Sequence, residues 1–143
     1  MRVLVDADGC PVVDITVDIC NRLNIECLLL CDTAHRIERA SATTLVFDKG
    51  ADSVDFAIAN RVTAEDIVIT QDYGLASMCL AKKAKVLHQD GWQYTEDNIG
   101  ALLFQRHESR KFRAGGGRIK GPAKRTAMQD KSFAQALQTM LQG

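Results

Sequence analysis

No apolar run in this 143-residue chain approaches the roughly 18 residues needed to cross a bilayer. The first residues already read as a strand, so no signal peptide is expected ahead of them and the expected compartment is the cytoplasm. Cysteine pairs of the C-x-x-C kind are missing. The five cysteines, Cys10, Cys20, Cys27, Cys31 and Cys79, lie mostly in apolar stretches and read as reduced and buried. Cys27 and Cys31 could share a strand face, but no second pair or neighbouring histidine completes a zinc site. His35, His88 and His107 are scattered and read as surface or packing residues. Net charge is also absent, with 18 basic and 18 acidic residues.

That zero conceals an asymmetry. Up to Gln105 there are nine Lys/Arg against sixteen Asp/Glu, and from Arg106 onward nine against two. Clustering of both signs in one small chain points to an acidic, cation-holding site beside a surface for a polyanion. A composition of 46% hydrophobic and 25% charged residues is that of a globular protein, and this length fits one domain over 1–143.

Short apolar runs alternate with amphipathic stretches along the chain. Val3–Val5, Ile25–Cys31, Thr44–Phe47, Ile67–Ile69 and Lys85–Leu87 read as strands, with helices expected over Pro11–Leu23, Asp52–Arg61, Tyr73–Lys82 and from Thr95 towards Arg106. The pattern predicts a three-layer α/β/α domain with a mainly parallel sheet of about four or five strands. Glycines 115–117 and Gly121–Pro122 mark a basic, Gly-rich loop over 106–125, and a closing helix is expected over 130–142.

Asp6 and Asp8 fall where the first strand ends. In open α/β sheets that edge is where ligands bind, and two carboxylates so close repel unless a proton or cation separates them. Asp72 follows the fourth strand in the same way. Asp52 and Asp55 lie one helical turn apart at the start of the second helix, where Asp52 is either a dipole-favoured acid or an outer supporting residue. Asp6, Asp8, Asp55 and Asp72 are therefore the candidate catalytic and metal-binding residues. Carboxylates without clustered His or Cys suit Mg²⁺ or Mn²⁺, which serve phosphate chemistry. Asp90 is a further acid nearby and is left outside this set. Arg110, Lys111, Arg113 and Lys120 are the candidate substrate-binding residues, able to follow a phosphate backbone without sequence specificity.

The segments DADGCP (6–11), TQDYGLA (70–76), RHESRKFR (106–113) and KGPAKRT (120–126) together resemble the bacterial YaiI/YqxD family, also called UPF0178 or DUF188, over essentially the whole chain. The resemblance implies a PIN-like nuclease fold in which Asp6, Asp8, Asp55 and Asp72 hold Mg²⁺ or Mn²⁺ for hydrolysis of RNA phosphodiester bonds. Two other readings stay open. One is a catalytically silent module associated with RNA or the ribosome. The other follows from the D-x-D-G opening, which is similar to that of haloacid dehalogenase-type phosphatases. Asp6 would there be a covalent nucleophile and Asp8 the acid/base, although no paired-acid segment follows Asp72.

Overall fold

A computed structural model of the chain describes residues 1–50, 52–118 and 123–143. Its centre is β1 (Arg2–Asp6), whose Val3, Leu4 and Val5 are wholly buried. Burial on both faces explains why the run is continuously apolar instead of alternating. The strand pairs in parallel with β2 (Glu26–Asp32) on one side and β4 (Ile67–Ile69) on the other. Beyond β2 lies β3 (Thr43–Phe47), and beyond β4 lie β5 (Lys85–Leu87) and the antiparallel β6 (Gln93–Tyr94). The sheet order is β3-β2-β1-β4-β5-β6.

Helices cover both faces, giving the three-layer α/β/α arrangement. On one side α1 (Val13–Arg22) and α5 (Ala127–Gln142) pack on Val3, Val5, Ile67 and Ile69, with Phe133 and Leu137 of α5 fully buried. On the other, α2 (Ser53–Arg61) and α3 (Tyr73–Ala81) pack on Leu4, Leu28, Leu30 and Val68. The last helix, α4 (Glu96–Ala114), lies against α3 and adds Ile99 and Leu102 to that layer. None of these helices is long and apolar enough to cross a membrane, among the described residues.

Three expectations change. The sheet has six strands, because β6 is only two residues long and carries no periodicity to read. The basic loop expected over 106–125 is helical as far as Ala114. No glycine or proline interrupts Arg106–Arg113, Lys111 and Arg113 suit the negative end of the helix, and a Thr95/Asn98 capping box fixes its start. The closing helix begins at Ala127, three residues earlier than the expected 130, because Thr126 and Gln129 form a second capping box.

The turn between β5 and β6 docks on α5. Arg125 Nη1 donates to Asp90 Oδ1 at 2.8 Å, Nη2 to the Gln89 carbonyl at 2.7 Å, and Nε to Asp130 Oδ1 at 2.7 Å. Gly91, at φ +94, lets this turn approach so closely that an added Cβ would lie 2.6 Å from the Ser132 backbone. Gly91→Ala thus meets both strain and a backbone clash. It is expected to lower stability by about 2 kcal/mol or more in urea unfolding, and a loss below 0.5 kcal/mol would refute this account of the docking.

Candidate active site

Strand order reverses at β1: β2 and β3 continue to one side, β4 to β6 to the other. The crevice beyond the carboxyl ends of β1 and β4 is the place where such sheets bind ligands. Asp6 ends β1. Thr70 follows β4 directly and is buried, and its Oγ1 donates to Asp6 Oδ2 at 2.8 Å while accepting from the Asp72 amide at 3.0 Å. Asp72 caps α3, its Oδ1 accepting from the amides of Gly74 at 2.8 Å and Leu75 at 3.1 Å. Asp55 comes in from the first turn of α2. Asp52 precedes that helix at φ +64, makes no cap hydrogen bond, and lines the same cleft as Asp55 and Asp72.

Proximity shows in the electrostatics. Burial pushes the Asp6 carboxyl up to about 6, aided by the Asp72 and Asp8 charges and opposed by the Thr70 hydrogen bond. Burial likewise pushes Asp55 up to about 7, with Asp72, Asp6 and Asp52 adding repulsion in that order. Carboxylates crowded in this way hold a proton or a cation between them. The donors are all oxygen, and Asp6 and Asp72 each use one carboxylate oxygen in the hydrogen bonds above. The donor chemistry fits a hard divalent cation, although the ligating atoms of Asp6, Asp55 and Asp72 do not all lie within 4.8 Å of one another.

Asp8 turns to a neighbouring position. Its Oδ2 accepts from the Asp32 amide at 3.3 Å, while its Oδ1 is buried without a hydrogen-bond partner. His35 Nδ1 lies 2.9 Å from Asp32 Oδ1 and 3.9 Å from Asp8 Oδ1. Among the described residues, Asp8, Asp32 and His35 are the one group of three whose ligating atoms all lie within 4.8 Å of one another. The orphaned oxygen also suits a cation. Asp32 and His35 were not singled out in the sequence. The parallel register that sets Asp6 against Leu30 carries Asp8 to the end of β2, a pairing that spacing along the chain does not reveal.

An open cleft of about 310 Å³ is lined by Asp6, Gln71, Asp72, Tyr73 and Arg106. A second pocket, which shares Tyr73 and Arg106 with it, lies along α4 beside Arg110 and Arg113. The stripe of α4 that packs through Ile99 and Leu102 therefore becomes arginine at 106, 110 and 113, spaced by four and three residues on one helical face. Lys111 is exposed elsewhere on the helix, and Lys120 lies outside the described residues. Asp90 is held by Arg125 and does not join the acids. Arg106 places Nη1 at 3.1 Å from Asp72 Oδ1, a role hidden until the phase of α4 is known.

A buried carboxyl with a raised pKa costs stability when ionised. Below the ordinary carboxylate value of 3.8, Asp6 is protonated in both states and costs nothing. Between there and about 6 the unfolded chain ionises freely while the folded chain does not, so stability falls, and the loss is complete above about 6. Asp6→Asn is therefore expected to be more stable than the parent at pH 8 by up to about 3 kcal/mol, converging with it near pH 4. Thermal melts across that range without added metal check this, and a constant difference would contradict it.

Comparison with known proteins follows the same order of residues. The family model DUF188, described as "Uncharacterized BCR, YaiI/YqxD family", matches residues 4–143. A UPF0178 protein of Exiguobacterium sibiricum is 49% identical over 141 residues, covering 99% of this chain and 96% of its own. Another, of Natranaerobius thermophilus, is 42% identical over 141 residues with the same coverage, and one of Ruminiclostridium cellulolyticum is 44% identical over 137 residues, covering 96% and 90%. No solved structure matches. With a family model that matches residues 4–143 and identity of 49% over nearly the whole chain, the chain belongs to the YaiI/YqxD (UPF0178) family.

Proposed function

We propose that this protein is a metal-dependent nuclease that hydrolyses RNA phosphodiester bonds at the β1/β4 crevice. The observation that carries this reading is the adjacency of three pockets, all lined by Arg106, that run from the carboxylates Asp6, Asp55 and Asp72 to the arginines of α4. An acidic centre alone would repel a polyanion, and the adjoining Arg110 and Arg113 supply the attraction that brings a phosphate backbone alongside it.

Asp6, Asp55 and Asp72 would hold Mg²⁺ or Mn²⁺, with Asp52 supporting Asp55 from the helix start. Asp8, with Asp32 and His35, offers donors beside them. A cation bound there neutralises phosphoryl oxygens and lowers the pKa of an attacking water. The chain's own groups do the rest. Thr70 fixes the rotamer of Asp6, the amide groups of α3 fix Asp72, and the arginine stripe holds the strand against the cleft. The half-buried Tyr73 ring borders both acids and arginines, where an unstacked base can lie against it.

Single-stranded RNA incubated with Mn²⁺ or EDTA tests the reading. Cleavage is expected only with Mn²⁺, and Asp6→Asn is expected to reduce it by about 100-fold or more while RNA affinity stays within a few-fold. Salt titration of binding gives the second measure. Arg110→Gln and Arg113→Gln are each expected to lower the slope of log K against log salt by about one. Tight, salt-sensitive RNA binding without metal-dependent turnover, equal in parent and Asp6→Asn, would identify the silent binding module instead.

A further inference from the structure

Arg106 differs from the other arginines of its stripe. Its Nη1 rests on Asp72 Oδ1, and this is the only hydrogen bond of the guanidinium among the described residues. Asp72 Oδ1 does not need it. That oxygen already accepts from the two amides at the start of α3, so the helix is capped without Arg106. The pair is also open to water, the side chains being 36% and 30% exposed, and such single-nitrogen contacts are weak and exchangeable.

The approach is nevertheless built into the fold. A Cβ at residue 74 would lie 3.2 Å from Asp72 Oδ1 and 3.5 Å from Arg106 Nη1, so Gly74 leaves room directly beside the pair. Helical phase acts from the other side, since Arg106 continues the line of Ile99 and Leu102 that faces α3. The guanidinium thus stands where both the acids and a strand lying along Arg110 and Arg113 are within reach.

Resting on the metal-dependent reading above, we propose that Arg106 is an exchangeable counter-ion of the acidic centre. It sits on Asp72 while the acids hold no cation, and it turns onto the phosphate when a divalent cation and a nucleic-acid strand enter together. Arg106 is then a positioning residue that makes the two affinities interdependent. A fixed positive charge beside the acids opposes the cation when it comes alone, and a phosphate between guanidinium and cation converts that opposition into mutual support. By linkage, the strand must tighten cation binding by the factor by which the cation tightens strand binding.

The test measures Mn²⁺ affinity from the loss of the free-ion electron paramagnetic resonance signal, with and without a short phosphorothioate-linked single-stranded RNA that resists hydrolysis. Without RNA, Arg106→Gln is expected to bind Mn²⁺ roughly threefold to tenfold more tightly than the parent. Arg106→Lys, which keeps the charge, is expected to stay near the parent, as is Arg22→Gln on the remote helix α1. RNA is expected to tighten Mn²⁺ binding in the parent and to lose most of that effect in Arg106→Gln. A merely structural arginine would not improve cation affinity when removed. Equal or weaker Mn²⁺ binding by Arg106→Gln, or no effect of RNA on the parent, overturns the proposal while leaving the nuclease reading intact. Absence of Mn²⁺ binding by parent and variant alike overturns both.

Discussion

Asp6, Asp55 and Asp72 repel one another at the end of a sheet that cannot move apart to relieve them. Val3–Val5 and Ile67–Ile69 are buried without exposure, so shifting β1 against β4 would open apolar surface on both faces of the sheet. The rigid core therefore holds the unfavourable charges together. Relief has to come from local partners: the Thr70 hydroxyl on Asp6, the amide groups of α3 on Asp72, protons on Asp6 and Asp55, and the Arg106 guanidinium. A cation bound there would replace the protons in the same positions, so stability and cation affinity would be two readings of one electrostatic cost. Asp66 provides the contrast. It is buried at the opposite, amino edge of the sheet, where the Arg2 guanidinium and the Thr63 amide satisfy it.

The two faces of the sheet divide the work. The α1/α5 face is given to packing, with Phe133 and Leu137 buried and Arg125 tying the start of α5 to the β5–β6 turn. The face covered by α2, α3 and α4 carries the candidate site, since α2 brings Asp55, α3 follows Asp72, and Arg106 of α4 lines the cleft. One helix serves both purposes by changing its inner stripe. Ile99 and Leu102 anchor α4 to the body, and two turns later the same line presents arginine. Because the anchor and the arginines share a helical phase, packing at one end sets the direction of charge at the other.

Much of this was legible in the sequence because strong local signals agree with the fold. The apolar runs around Val3–Val5 and Ile67–Ile69 marked strands buried on both faces, and acids placed directly after them could only stand at the carboxyl edge. Asp6 and Asp72 follow from that, Asp8 from its place two residues beyond Asp6, and Asp55 from the first turn of the helix expected after the third strand. The Asp8–Asp32–His35 group did not, because it depends on the β1–β2 register, a long-range pairing. The reach of α4 was obscured by composition: a segment dense in arginine and followed by glycines reads as a loop, although none of its residues breaks a helix. With the helix unseen its phase was unknown, so Arg106 could not be separated from Lys111. Arg125, counted among the basic residues, is occupied by Asp90 and Asp130.

Asp72 both caps α3 and lines the cleft. One oxygen closes α3 and the other remains for the cleft. This arrangement also bears on the D-x-D-G opening. A phosphatase of the haloacid dehalogenase type needs Asp6 ionised as nucleophile, Asp8 beside it as acid/base, and a lysine nearby. Here the Asp6 carboxyl is raised towards its protonated form by burial, and Asp8 is turned onto Asp32. Among the lysines, Lys82 donates to the Ala59 carbonyl, Lys83 pairs with Glu96, and Lys85 begins β5 at the opposite edge of the sheet. Asp6 is instead grouped with two further acids under an arginine-lined helix. With Asp8 turned onto Asp32 and these lysines engaged elsewhere, that environment would suit holding a cation more than forming a covalent phosphoenzyme.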